Sequence, residues 1–322
     1  MKAIKTTLLL STAFVLFSCG DDNNDYNYKK DDVSDLVTDS RQKVGPIEAQ
    51  KNLEFPALAQ SGSVVVVHKA VLNDKTREQG INYCVEWDIN RRTQHWSCYK
   101  LYSTVNYNSG NVVTRYKATN DGTLSTTCQY PNDQDMDSQY RLTSDPYKGS
   151  GYDHGHICPS ADRQRSTEAN KQTFYITNMQ PQYSNFNGSN DDSSINERSP
   201  WFRLESRCRT WANQYDTLYV CKGGVSNSYS NTIGSGNNKI PVPDYFFVAL
   251  LGKKGSTYKA IGFWMKHESS YSSQLPLSNY AMNIKELEER TGLDFFCNLV
   301  NAKEEVAENV DESQMLKDWS VQ

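Results

Sequence analysis

The stretch "SGYDHGHICPSADR", residues 150–163, sets His154 and His156 one residue apart beside Asp153. Two imidazoles at that spacing can clamp a metal, can pair a general base with a cationic neighbour, or can be two surface residues that happen to be adjacent. Downstream lie an amide-rich loop, "TNMQPQYSNFNGSNDD", and the carboxylate Glu205. A tetrahedral zinc site would require both histidines and an acidic group to converge. The alternative is softer. One neutral imidazole takes a proton from water while a hard divalent cation, held by an amide oxygen and several waters, neutralises charge on a phosphate. The constellation points to metal-assisted hydrolysis of a phosphoester, set against the plain reading in which an Asn-rich loop is only a turn.

These residues need a scaffold. "SVVVVHKAVLN" reads as a strand and "NYCVEWDINRRTQHWSCYKLY" as a β-hairpin around its polar centre, with Cys84 and Cys98 placed for a cross-strand disulfide or for two buried thiols. Further strands are predicted at "TFYITNM", "DTLYVCKGG", "DYFFVALLG" and "YKAIGFWMK". Three helices are predicted: one capped by Ser166, one capped by Ser199 with Pro200 at its first position, and one capped by Asn283 with Glu286 as reciprocal partner and Gly292 past its end. In the second, Trp201, Leu204, Cys208 and Trp211 recur at helical spacing. Glu205 falls at the edge of that stripe, where a carboxylate reaches a site beside the helix or simply meets solvent. The pattern is a mainly antiparallel α+β domain.

Residues 1–18 have a basic start and an apolar run from Leu8 to Phe17, too short to span a bilayer, which is how an export signal reads. "LFSC" resembles a bacterial lipobox, so Cys19 is the expected lipidation site and membrane anchor. Export then places the chain at the outer membrane or cell surface, otherwise in the periplasm. Residues 19–50 read as an acidic flexible tether and residues 51–322 as one domain. The formal net charge is −4, yet residues 51–300 hold 26 Lys+Arg against 24 Asp+Glu. The near-neutral domain excludes neither a nucleic-acid partner nor its absence, because a cationic groove can hide in a balanced total. Seven cysteines after Cys19 allow up to three disulfides. Oligomeric state is open.

"GYDHGHICPSADR", "FYITNMQPQYSNFN", "WFRLE" and "DTLYVCKGG" together resemble the DNA/RNA non-specific endonuclease family with its ββα-metal finger, whose motifs run Asp-Arg-Gly-His, Asn-x-x-Pro-Gln and Trp-x-x-Leu-Glu. "YCVEWDINRRTQHWSCYKL", "IPVPDYFFVALL" and "NIKELEERTGLDFF" extend the likeness from about residue 63 to 300. The resemblance implies a Mg²⁺-dependent nuclease, with Mn²⁺ or another divalent ion as a substitute. It cuts DNA and RNA through backbone contacts, leaving 5′-phosphate and 3′-hydroxyl ends. His156 is then the general base, Asn178 holds the site's geometry, and Glu205 orients a metal-bound water. Asn187 keeps the family spacing from Pro181 and is the implied metal ligand, with Asn196 the alternative if the count runs back from Trp201. His154 replaces the motif's Arg and is expected to supply a cation near the phosphate. Arg163 and Arg165 are candidate phosphate contacts. The rival functions are a phosphodiesterase of the same fold on non-polymeric substrates, and a surface lipoprotein that binds nucleic acid or glycan without cutting.

Overall fold

The run "YFFVALL" has no alternation of apolar and polar residues, which a strand sustains only where both of its faces are covered. In the computed structural model, successive side chains of this run enter opposite layers. Phe246, Val248 and Leu250 join one core, and Phe247, Ala249 and Leu251 the other. The structure describes residues 37–39, 42–43, 47–58, 62–103, 112–117, 130–188, 192–271, 274–299, 303 and 307–321. The signal segment, Cys19 and Cys128 lie outside the described residues.

Thirteen strands are described. Two short pairs stand apart: β1 (Val37–Asp39) with β2 (Gln42–Lys43), and β9 (Thr232–Ile233) with β10 (Ile240–Pro241). The main sheet takes β3 (Ser63–Asn73), β4 (Glu78–Asp88), β5 (Thr93–Leu101), β8 (Thr217–Val225), β11 (Tyr245–Lys254), β12 (Thr257–Lys266) and β13 (Ala281–Met282). Its order is β13-β12-β11-β8-β5-β4-β3, antiparallel at every pairing. The remaining two, β6 (Asp153–His156) and β7 (Met179–Gln182), form a separate ribbon that carries the histidine pair. A mixed α+β architecture on a large antiparallel sheet is as expected.

The helices cover both faces. Against one pack α5 (Pro200–Trp211) and α7 (Glu312–Trp319), where Trp211 meets Trp319 edge-on at 5.1 Å and donates its indole N–H to the Trp319 carbonyl. Against the other pack α1 (Ile47–Gln50), α6 (Ile284–Thr291) and Phe295. Ala49 is fully buried, so the packed domain starts ahead of residue 51. Helix α7 sits in the tail whose acidity hid it, and its buried Met315 and Trp319, four residues apart, are the signal it did carry.

The cap residues do what their types dictate. Ser166 accepts from Ala169 N–H at the start of α2 (Thr167–Gln172), Ser199 from Phe202 N–H, and Asn283 from Glu286 N–H, while Gly292 takes the left-handed conformation at the end of α6. The reciprocal bond expected of Glu286 is replaced by a pairing with Arg290 one turn on. "TFYITNM" is not a strand. It turns through a 3₁₀ segment, Ile176–Asn178, and the strand begins only at Met179. Cys84 lies opposite Cys98, which lies opposite Cys221, and the six described cysteines are thiols. No helix of the described residues is long and apolar enough to cross a membrane.

Candidate active site

The ribbon is held at both ends. At its base Asn178 accepts from Cys158 N–H (2.9 Å) and donates to the carbonyls of Cys158 and Thr173 (2.8 Å each). This amide is fully buried and bonded chiefly to backbone, with Ser97 Oγ–H as a longer donor to its oxygen (3.4 Å), an arrangement that suits a residue holding the ribbon in place. At the other end Tyr183 donates its backbone N–H to His267 Nε2 (2.8 Å), whose Nδ1 reaches the Pro243 carbonyl (2.8 Å). Burial, the chief cause, lowers the pKa of His267 to about 4, which keeps this imidazole neutral and able to accept. Between the ends Gly155 faces Gln182, and a Cβ at Gly155 would lie 2.2 Å from the Gln182 side chain. Helix α3 (Ser184–Asn187) follows, and Ser184 and Asn187 donate to the two carboxylate oxygens of Asp153 (2.9 and 3.1 Å). Helix α4 (Ser193–Arg198), capped by Asp192, lies between α3 and α5.

His156 is the chemical centre of this arrangement. Its Nε2 is buried and has no hydrogen-bond partner among the described residues, while the ring is tied to the backbone of His154. By elimination the proton sits on Nδ1, and Nε2 presents a lone pair. The pKa of His156 lies well below the ordinary histidine value, through burial first, then through the positive charges of Arg115, His154 and Lys222. Arg115 stands over the Phe174 ring at 5.2 Å and interacts with both Glu205 and His156. It is a cation of the site that sequence reading missed. Glu205 bonds Lys222 Nζ through Oε1 at 2.8 Å, and its pKa is raised by burial against the opposing pull of Lys222.

His154 has a role other than the one expected. Its ring is sandwiched between Tyr130 (4.0 Å) and Tyr147 (4.1 Å), and Nε2 lies 3.1 Å from both oxygens of Asp145. The Asp145 side chain is only 2 % exposed, also accepts from Tyr147 N–H, and holds the imidazole in place. Among the described residues, Arg115 is the cation with the largest effect on His156. With Nε2 on Asp145, only Nδ1 of His154 is left for any metal.

Arg163 is not a phosphate contact. It is 3 % exposed, and its guanidinium donates to the carbonyls of Asn82, Lys100 and Asp162. It was read as a surface cation because its burial is a tertiary fact. Arg165 is half-buried, with Nε and Nη1 shielded from solvent and without a hydrogen-bond partner among the described residues. Asn196 lies in a groove of about 560 Å³ with Arg203, Ser206, Arg207 and Thr210. At 100° per residue that face of α5 is turned away from Glu205. Asn196 therefore stands apart from the carboxylate it would have to join.

Asn187 fits better. Its Nδ2 is spent on Asp153, and its Oδ1 has no hydrogen-bond partner among the described residues, as is also true of Glu205 Oε2. An uncommitted amide oxygen and an uncommitted carboxylate oxygen suit a hard cation that keeps most of its waters. A second group of metal-ligating type, unforeseen from sequence, joins His68, Asp133 and Asp135 with ligand atoms within 4.8 Å of one another. Its His68 already uses both nitrogens, on Asp133 (2.8 Å) and on the Tyr83 carbonyl (3.3 Å), and Thr177 also binds Asp133. It shares no residue with the His156 cleft.

A sequence model of the DNA/RNA non-specific endonuclease family matches residues 67–302. Nuclease C1 of Cunninghamella echinulata var. echinulata is 30% identical over 186 residues, covering 55% of this chain and 70% of that protein. A nuclease of Nostoc sp. is 34% identical over 167 residues, 49% of this chain and 56% of its own. Mitochondrial endonuclease G of Homo sapiens is 26% identical over 181 residues, 54% and 58% respectively. The chain thus spans little more than half the length of the latter two. A solved structure, the crystal structure of the EndoG/EndoGI complex, superposes with a TM-score of 0.54 at 23% identity, covering 69% of this chain and 85% of that one, and speaks for the fold. The matched span includes Arg115, the β6–β7 ribbon, α3, α5 and β8, every described element that builds the cleft. The chain belongs to the DNA/RNA non-specific endonuclease family and is by descent a nuclease.

Proposed function

We propose that the chain is a divalent-metal-dependent endonuclease that hydrolyses DNA and RNA without sequence specificity. The observation that carries this reading is His156 Nε2, a buried lone pair with no partner among the described residues, on the strand bearing the family motif. His156 takes a proton from the attacking water at Nε2 and holds its own proton at Nδ1. Arg115 binds a non-bridging phosphate oxygen and repels a proton from His156. Asn187 Oδ1 and the waters that Glu205 Oε2 orients would hold Mg²⁺. When bound, Mg²⁺ supplies charge neutralisation on the phosphate and on the leaving 3′ oxygen. The products are then a 5′-phosphate and a 3′-hydroxyl. Contacts to phosphate carry no base code, which suits a nuclease that does not select sequence. We read residues 1–18 as an export signal and Cys19, the residue after it, as the lipidation site that would anchor the nuclease to a membrane.

The test is degradation of plasmid DNA and of RNA by the purified chain with Mg²⁺ and with EDTA. Cleavage that EDTA abolishes is expected. His156→Ala should lose ~10²–10⁴-fold in rate while nucleic-acid binding persists. Undiminished cleavage by that variant would exclude His156 as base.

A further inference from the structure

Side chains on β8 alternate between the two cores, and Leu218 and Val220 point toward α5. Two residues further on, the same face takes Lys222, in register with Ser97 on β5 and Val248 on β11. A position that the alternation assigns to an apolar residue therefore holds an ammonium group, 2 % exposed. A buried cation persists only where something answers its charge. Two groups answer it. Glu205 Oε1 lies 2.8 Å from Nζ, and the Trp201 ring centroid lies 4.0 Å from it. Trp201 and Glu205 are one turn apart on α5, so one lysine spans the helix-to-sheet gap directly beneath the carboxylate. Among the described residues Lys222 makes no other hydrogen bond.

We propose that Lys222 is a positioning residue of the nuclease site, which commits Glu205 Oε1 and so presents Oε2 alone to the cleft. A free glutamate on a helix edge samples several rotamers, and either oxygen could face the metal-bound water. Clamped from below by a cation that is itself packed on an indole, the carboxylate has one orientation. Partners that orient metal-site groups in this way are worth ~10–100-fold in activity or metal affinity.

The inference rests on the nuclease reading above, and its failure can be told apart from the failure of that reading. If the wild-type chain does not cleave, that reading has failed. If the wild type cleaves, the comparison is with Lys222→Met and Lys222→Arg. The expected result for Lys222→Met is a ~10–100-fold fall in kcat with KM for DNA within about twofold of wild type. Lys222→Arg, which keeps the charge and the reach to Oε1, should recover most of that loss. Thermal melting in EDTA gives a readout without metal or activity. Lys222→Met and Glu205→Gln should each lower Tm, and the double variant should lower it by less than the sum, because the two share one interaction. A Lys222→Met protein with wild-type kcat, an arginine variant no better than the methionine one, or additive Tm losses would each overturn the proposal. Should Lys222→Met not fold, Lys222→Gln takes its place with the same outcomes.

Discussion

In the proposed mechanism, what would make His156 the base is its neighbourhood rather than its type. Burial comes first, and Arg115 is the largest of the positive charges that disfavour a proton on it. A histidine with a lowered pKa stays neutral far into the acid range, so cleavage should lose its base only below the ordinary histidine pH. Arg115→Leu removes one of those charges, and the histidine then accepts a proton more readily. The acid limb of kcat should therefore move to higher pH in that variant, alongside a weaker hold on phosphate. A pH–rate profile whose acid limb stays in place would show that Arg115 does not act on His156. The amides separate in the same way. Asn187→Ala should abolish Mg²⁺-dependent cleavage and Asn196→Ala should leave it within about threefold, the tolerance of a surface change away from the site. Rates for the two variants in the reverse order would move the ligand to Asn196. His156, Asn187 and Glu205 were legible in the chain because local motifs carry them. Arg115 was not, since it lies 41 residues ahead of His156, in a stretch without periodicity, and reaches the site only through tertiary packing. Lys222 was legible in principle, as the one charged residue on the strand "TLYVCKGGV".

Among the elements, the β6–β7 ribbon decides whether the site exists. Its two strands are four residues each, too short to be stable alone, and depend on Asn178, His267 and the close approach of Gln182 to Gly155. Gly155→Ala puts a methyl where the fully buried Gln182 side chain lies, and that side chain has no room to withdraw. Overpacking of this kind costs about 1–3 kcal/mol. The expected outcome is a lower Tm together with a loss of kcat larger than the stability change explains, because the ribbon aims His156. Wild-type kcat in a folded Gly155→Ala protein would show that the ribbon tolerates displacement. The elements read correctly from sequence are those whose ends carry their own chemistry, such as the helices capped by Ser166, Ser199 and Asn283. "TFYITNM" misled because its β-branched and aromatic residues suit a strand. Their side chains are instead buried around a 3₁₀ turn that Asn178 pins from within, and intrinsic preference yields to that packing.

At the scale of the whole molecule, the second face of the sheet buries two carboxyl groups, Glu86 and Glu54. Glu86 is fully buried on β4, opposite Trp96, and accepts from the Ser63 hydroxyl through Oε1. Burial is the chief cause that raises its pKa to about 7, with the negative charge of Asp88 acting in the same sense. Glu54, 2 % exposed, is raised to about 7 as well, again by burial and in spite of Lys100. For a carboxyl whose folded pKa exceeds its unfolded value, the native state binds the proton more tightly. Its contribution to stability is full below about pH 4.5 and is lost as pH rises through about 7. His267, held at about 4, works in the opposite sense, since the unfolded chain gains its proton first as pH falls. The two effects compete between these limits, so the net curve alone does not identify either. A neutral isostere does. Glu86→Gln keeps the shape and removes the ionisation, so its Tm should exceed that of the wild type at pH 8 and match or fall below it at pH 5. The gain at pH 8 is on the order of 3 kcal/mol at most, from 1.36 kcal/mol per pKa unit. Melting curves at the two pH values decide the matter: a Glu86→Gln protein that is less stable than wild type at both would mean that Glu86 is ionised and paired in the folded chain, and that this face holds its charge without cost.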